Sequence, residues 1–362
     1  MKVLYVASSI IPSKSANSVH VMKMAQAISN NGNYNVTMVA TDGREEKKIM
    51  PFNYYNVIGN FNLKLTRRDK VLSWFYRLSE SLKQAKNADI VFTRWLIAAY
   101  VLMLTNNKTF IIEFHSYPTN FTQRFLLKRI LESKRKRRLI FITKSLHKHF
   151  LKCHPQIKNI ESFVLPDGAD SDLNVSLLPH NSKLECCYVG SFKTGKGVDT
   201  VISVANVMKE TLFHIVGGTQ EEIDAMQSKV KYNNIRFYGH LNQSEAMKVI
   251  ENSHIALLPN KKNVYIDGTK DIGKWTSPLK LFEYMSKGKA IVASDLPVLK
   301  EIIAHNHNSI LVESENIRDW KEAIEKLIND ENLYNKITRN AKNDLESYYT
   351  WEIRAKSALK NL

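Results

Sequence analysis

Short runs of β-branched and aromatic residues alternate with segments of helical periodicity along almost the whole chain, and the alternation starts afresh midway. Lys2 to Ala7 (KVLYVA) has the composition of a buried strand. Ser18 to Ser29 then carries Val21, Met24, Ala25 and Ile28 at helical spacing, and Asn35 to Ala40 returns to a strand-like run. Strand, loop, helix and strand in that order open a parallel sheet with helices on its faces. Further strands are expected at Ile90 to Thr93, Thr109 to Phe114 and Arg138 to Thr143, with helices around Val71 to Ala85 and Phe121 to Ser133. Asp167 to Lys183 reads as a linker. Beyond it, strands are expected at Glu185 to Gly190, Leu212 to Val216, Ile235 to Tyr238, Ile255 to Leu258, Ala290 to Ala293 and Ser309 to Val312. Helices fall between them at Gly197 to Lys209, Gln220 to Lys229, Gln243 to Asn252 and Ser277 to Ser286, and three more close the chain from Trp320 to Leu362. Two such halves imply two doubly wound domains. Ligands of open parallel sheets bind beyond the carboxyl ends of the strands, so a cleft between the halves is the expected place for chemistry.

A length of 362 residues suits two domains, and 44% hydrophobic residues is enough for two cores. Met1 to Met38 lacks the basic start, apolar run and cleavage site of a signal peptide. Trp95 to Leu104 is the longest lipid-like stretch, about half a membrane span. Cys153, Cys186 and Cys187 have no ligand spacing, and neighbours on a strand point to opposite faces, so reduced structural thiols are expected. The charge is uneven. Residues 1–175 hold 27 Lys and Arg against 12 Asp and Glu, a net of +15, while the remainder nets +2. A surface that basic suits nucleic acid, an anionic membrane or a phosphorylated substrate.

The strongest motif is Ser277-Pro278-Leu279-Lys280-Leu281-Phe282-Glu283-Tyr284-Met285. Pro278 fits the first turn of a helix, and the free N–H groups of Leu279 and Lys280 would then face an anion. One turn along, Glu283 shares their face, where a carboxylate can accept both hydroxyls of a ribose. This stretch resembles the donor-binding motif of the retaining glycosyltransferases of family four, the group 1 glycosyltransferases. The resemblance assigns Glu283 to the donor ribose. Where that family has a further glutamate against the donor sugar, this chain has Trp275. Val189 to Gly197 (VGSFKTGKG) is similar to the family's phosphate loop, with Gly190 at the strand end and Lys196 as the cation on the donor diphosphate. Ser191 stands in place of the family's arginine, and Lys193 is the substitute cation at hand.

The amino-terminal half resembles the family more loosely. Pro12 to His20 matches the loop between donor and acceptor, which makes Asn17, Ser18 and His20 acceptor-loop residues. Glu113-Phe114-His115 is similar to a Glu-x-His whose histidine faces the donor sugar. Leu165 to Asp170 matches the Pro-x-Gly-x-Asp of the domain junction, and Trp351 the tryptophan where the tail crosses back. The resemblance implies the α/β GT-B fold, two Rossmann-like domains facing each other across a cleft. The expected division is 1–172 for the acceptor-binding domain, 173–345 for the nucleotide-sugar-binding domain and 346–362 for a helix returning to the first.

The activity implied is retaining sugar transfer from a nucleoside-diphosphate sugar to a glycan or lipid-linked acceptor. His115, Lys196 and Glu283 would be the catalytic residues, with Gly190, Ser191, Ser277, Pro278, Leu279 and Lys280 completing the donor site. No metal, other cofactor or nucleic-acid partner is implied, and the expected location is the cytoplasm, peripheral on the inner face of the cell membrane. Lys134 to Arg138 (KRKRR) beside the apolar Phe121 to Leu131, and Leu63 to Trp74, mix basic and apolar residues as a membrane-surface segment does. Two alternatives stay open: another GT-B activity such as a sugar-nucleotide epimerase or an inactive homologue, and a non-catalytic basic protein that binds nucleic acid.

Overall fold

The computed structural model describes residues 1–44, 50–172, 177–180, 183–266, 270–271 and 273–362. It forms two compact units, Met1–Asp167 with Trp351–Leu362, and Gly168–Thr350. The expected linker falls partly on 173–176 and 181–182, outside the described residues, as does residue 173, where the second domain was expected to begin.

The first unit is a seven-stranded parallel sheet. Its strands are β1 (Lys2–Ile11), β2 (Asn35–Asp42), β3 (Asn62–Thr66), β4 (Ile90–Thr93), β5 (Thr109–Phe114), β6 (Arg137–Phe141) and β7 (Glu161–Val164), in the order β3-β2-β1-β4-β5-β6-β7. The helices are α1 (Ala16–Asn30), α2 (Pro51–Tyr54), α3 (Ser73–Ala85), α4 (Leu96–Thr105), α5 (Phe121–Glu132) and α6 (Lys144–Cys153). Side-chain caps set several of their starts: Ser15, Asn120 and Thr143 each accept a backbone N–H three residues on. Right-handed crossovers place α1 on one face of the sheet and α3 to α5 on the other, where α4 packs against both neighbours. A last helix, α13 (Trp351–Ala358), lies against α1.

The second unit carries a six-stranded sheet ordered β10-β9-β8-β11-β14-β15. These strands are β8 (Cys186–Val189), β9 (Phe213–Val216), β10 (Ile235–Gly239), β11 (Ile255–Leu258), β14 (Ala290–Ser294) and β15 (Ile310–Val312), with a small hairpin of β12 (Tyr265–Ile266) and β13 (Lys270–Asp271). Its helices are α7 (Val198–Ala205), α8 (Gln220–Gln227), α9 (Gln243–Asn252), α10 (Leu279–Ser286), α11 (Ile317–Asn329) and α12 (Glu331–Asp344). Capping boxes at Thr219 and Asn242 begin α8 and α9. The period of two sends adjacent residues of β8 into different cores. Cys186 packs with Leu257 and Val292 on one face, and Cys187 with Ala256 and Leu258 on the other. Burial pushes the Cys187 thiol up to about 11. Both sheets are parallel and helix-covered, the α/β class the alternation predicts.

Candidate active site

In Gly168–Thr350 the candidate groups gather at the carboxyl end of β8. Gly190 follows that strand and donates its N–H to Val216 O at 3.0 Å. Two residues earlier Tyr188 is buried, and its hydroxyl donates to Ser191 O at 2.8 Å, tying the exposed Ser191 back to the sheet. Gly195 and Gly197 turn the loop with φ of +85° and +80°. A Cβ on Gly197 would stand 1.8 Å from Pro259 O and one on Gly195 2.2 Å from Asn263 O, so only glycine fits. Between these two turns sits Lys196, half-buried. Burial first, and Lys193 second, hold its ammonium below the ordinary lysine range.

Lys280 approaches from the start of α10. Its Nζ lies 4.2 Å from the centroid of the Tyr188 ring, and an added Cβ at Gly190 would sit 3.3 Å from it. The side chain is buried, and among the described residues Nζ has no hydrogen-bond partner. Burial pushes its pKa well down, the neighbouring Lys196 pushes it further, and Glu283 opposes both. Pro278 is the residue before the helix, with extended φ −79° and ψ 120°, so α10 begins at Leu279. The N–H groups of Leu279 and Lys280 remain at the open end of the helix, where the dipole favours an anion. Ser277 is half-buried in the turn before them. Glu283, one turn along, is half-buried and accepts from Gln243 Nε2 at 2.7 Å. Trp275 ends a single 3-10 turn, Gly273–Trp275, just ahead of these groups.

In the first unit a charged network fills the carboxyl end of β5. Glu113, the fifth residue of that strand, is fully buried. His20 Nε2 lies 2.9 Å from its Oε1, His115 Nε2 bonds the same oxygen, and Arg354 donates to Oε2 at 3.2 Å. His20 Nδ1 reaches Asp167 Oδ1 at 2.6 Å, so its ring is clamped between two carboxylates. Burial favours a neutral Glu113, but Arg354, His20 and His115 outweigh it and hold the carboxyl well below the usual range. Burial lowers His115 to about 3, with Arg94 adding to the effect. A neutral imidazole that donates through Nε2 keeps its lone pair on Nδ1, which can accept from a hydroxyl.

The expected acceptor-loop residues lie within α1. The Ser15 cap starts that helix two residues before the periodicity does. Asn17 Nδ2 donates to Ser9 Oγ at 2.7 Å, Ser18 is buried with its hydroxyl on Ser15 O, and His20 is turned into the network. His20, Glu113 and His115 bring ligand atoms within 4.8 Å of one another, an arrangement that could hold a metal ion. Arg354 and Arg94, the latter at 3.8 Å, stand on the same carboxylate and disfavour another cation there. Arg354, Arg94, Asp167, Tyr188 and Gln243 are not assigned roles by the sequence reading. The one visible signal is Glu113, an acid inside the apolar strand Thr109–Phe114.

The family described as glycosyl transferases group 1 matches residues 172–344. An uncharacterized glycosyltransferase of Methanocaldococcus jannaschii, MJ1069, is 27% identical over 212 residues, 57% of this chain and 50% of that protein. The N,N'-diacetylbacillosaminyl-diphospho-undecaprenol alpha-1,3-N-acetylgalactosaminyltransferase of Campylobacter jejuni is 26% identical over 155 residues, 42% of this chain and 38% of that protein. The chain thus spans half or less of the length of these curated relatives. Among solved structures, Anabaena HepE in complex with UDP-glucose superposes with a TM-score of 0.73 at 12% identity, covering 99% of this chain and 98% of that one. Residues 172–344 thus carry the match to the group 1 glycosyltransferases, and the two doubly wound units have the GT-B fold.

Proposed function

We propose that this protein is a retaining glycosyltransferase that moves a sugar from a nucleoside-diphosphate sugar to a hydroxyl of a glycan or lipid-linked acceptor, without a divalent metal. One observation carries the reading: Lys280 Nζ, buried against Tyr188 and Gly190 with no hydrogen-bond partner among the described residues. A buried ammonium in that position is costly unless an anion meets it. A diphosphate seated on Gly190, Lys196 and the start of α10 supplies that anion. Glu283, steadied by Gln243, takes the ribose hydroxyls. The UDP-glucose held by the structurally similar HepE supports such a donor. The diphospho-undecaprenol acceptor in the name of the Campylobacter relative supports a lipid-linked one.

In the reaction the acceptor oxygen bonds the anomeric carbon from the face the diphosphate leaves, and the departing diphosphate oxygen takes the acceptor proton. Negative charge grows on that diphosphate, so Lys196 and Lys280 act chiefly in the transition state. His115, with its lone pair on Nδ1, would accept a hydrogen bond from a hydroxyl of the transferred sugar. Among the described residues no helix is long and apolar enough to cross a membrane, and we assign the protein to the cytoplasm, peripheral to the membrane.

Thermal unfolding against a panel of nucleotide sugars tests this reading. A donor at 100 times its dissociation constant contributes about 2.7 kcal/mol, which raises the midpoint of a unit this size by roughly 5–10 °C. A panel in which no nucleotide or nucleotide sugar moves the midpoint overturns it. Transfer that persists in a chelator is expected; loss restored by magnesium or manganese overturns the metal-free mechanism.

A further inference from the structure

Basic charge in the first unit is not all surface. Arg138, from the run Lys134 to Arg138, is 1% exposed and donates to Glu161 and to Ala358 O and Lys360 O. Arg137 donates to Ser133 O and Leu131 O, and Arg135 to Met103 O and Asn107. Three of the five cations therefore serve the fold, leaving Lys134 and Lys136 exposed. Large apolar side chains that reach solvent lie elsewhere; apart from Met1, Ile10, Met50, Ile58 and Leu104, those of this unit fall in two groups. Val71, Leu72, Trp74 and Phe75 are 73%, 44%, 47% and 52% exposed, and Phe121 and Phe125 are 85% and 49% exposed.

Topology brings both groups to one rim. In a parallel sheet each helix that follows a strand begins at the strand's carboxyl end. α3 follows β3 and α5 follows β5; both cover the same face of the sheet, with α4 between them. Two helix spacings put the groups about 20 Å apart along that edge. The same edge carries His115, six residues before Phe121. Each apolar group has cations beside it, Arg67, Arg68 and Lys70 at the first and Arg124 at the second, all exposed. Asp69 accepts the backbone N–H groups of Val71 and Leu72 at 2.8 and 2.9 Å and shapes the loop; its single negative charge still leaves Arg67, Arg68 and Lys70 in excess.

We infer that this rim, Val71 to Phe75 with Phe121 and Phe125, inserts into the headgroup region of an anionic bilayer. Aromatic and aliphatic side chains enter the acyl boundary while the flanking cations meet lipid phosphates. Polar nucleic acid offers nothing to exposed Val71 and Leu72, and a neutral surface leaves the cations without partners. Docked this way, the carboxyl edge that bears His115 faces the bilayer where a lipid-linked acceptor lies. The inference deepens the acceptor proposed above, but its test needs no transfer reaction.

The experiment is flotation of the full chain with vesicles of phosphatidylcholine containing 30–50% phosphatidylglycerol (roughly the charge density at which the surface term operates). Each basic residue near such a surface strengthens binding about fivefold, so Arg67→Gln/Arg68→Gln/Lys70→Gln should weaken partitioning on the order of 100-fold. Trp74→Ser/Phe75→Ser should weaken it more than tenfold, whereas Lys134→Gln/Lys136→Gln should change it little. A blue shift of tryptophan emission on adding vesicles, absent in Trp74→Phe, places that ring in the interface. Unchanged midpoints and unchanged donor protection in the variants show that folding and the donor site are intact. Equal flotation of parent and Trp74→Ser/Phe75→Ser overturns the inference, as does equal binding to purely neutral vesicles or tighter binding to RNA than to vesicles.

Discussion

Arg354 donates to Glu113 Oε2 at 3.2 Å, and the two residues stand 241 positions apart in the chain with side chains 3% and 0% exposed. Arg354 also donates to Pro166 O at 2.7 Å and to Leu165 O at 3.2 Å, so one guanidinium ties α13 to the end of β5 and to the segment after β7. Removing one partner of such a pair leaves the other charge buried. Arg354→Ala should therefore destabilise by about 3–5 kcal/mol, measured by denaturant unfolding. Arg354→Met with Glu113→Gln should recover part of that loss, because neither charge is then stranded. Losses that simply add would show that the two residues do not interact.

His115 gives stability a slope in acid. Its folded pKa of about 3 lies below the ordinary value of 6.5, so between those values the unfolded chain binds the proton and the native one does not. Stability contributed by the neutral ring is complete above pH 6.5 and falls as pH drops below it, by up to about 1 kcal/mol per unit, given a side chain 21% exposed. Glu113, whose folded pKa is depressed, adds its own loss only below its ordinary value of 4.5. Melting curves between pH 7.5 and 5 should show His115→Gln flatter than the parent. Parallel curves would mean that the ring takes up its proton equally in the folded and the unfolded chain.

The alternation of strand and helix was legible because buried parallel strands are continuous apolar runs bounded by polar turns. Ile90–Thr93, Thr109–Phe114, Ile255–Leu258 and Gln243–Asn252 are found where the pattern puts them. The misses have physical causes. α4 (Leu96–Thr105) is apolar all round, so it has no polar face to betray a helical period and reads only as a lipid-like run. β3 and β7 flank the sheet, and their half-exposed residues lack the apolar continuity of the central strands. α6 (Lys144–Cys153) is half Lys and His, with only Leu146 and Phe150 buried.

The candidate site divides the same way. The glycine loop after β8 is local, because close backbone approach demands glycine at 195 and 197, and glycines are visible. The network around Glu113 is assembled from α1, β5, the segment after β7 and α13. Partners that far apart in sequence leave no spacing to read.

Glu283 and Gln243 separate binding from positioning. If Glu283 holds the ribose as proposed, Glu283→Ala removes a pair of charged hydrogen bonds worth on the order of 2–5 kcal/mol, so donor affinity should fall about 30-fold or more without unfolding. Gln243 only holds the carboxylate in place, and Gln243→Ala should cost about tenfold or less by calorimetry with the same nucleotide sugar. Transfer by Glu283→Ala at the parent rate would remove it from the donor site.

Lys280 should show function and stability pulling apart. Its buried ammonium has no hydrogen-bond partner among the described residues; the Tyr188 ring and the Glu283 charge only partly compensate it, and burial with Lys196 holds its folded pKa well below 10.5. The unfolded chain therefore takes up this proton first, so parent stability from the group rises as pH climbs toward 10.5. Lys280→Met keeps the length and apolar stem and removes the charge. The variant should be more stable at pH 7 by about 1–3 kcal/mol and should lack that rise with pH. Its turnover should fall further than its donor affinity, since leaving-group charge is greatest in the transition state. Lys196→Ala, at a site closer to solvent, should show the same kinetic split with little gain in stability. A Lys280→Met protein that is less stable than the parent, yet transfers sugar as fast, would mean the ammonium has a protein partner and no part in the chemistry.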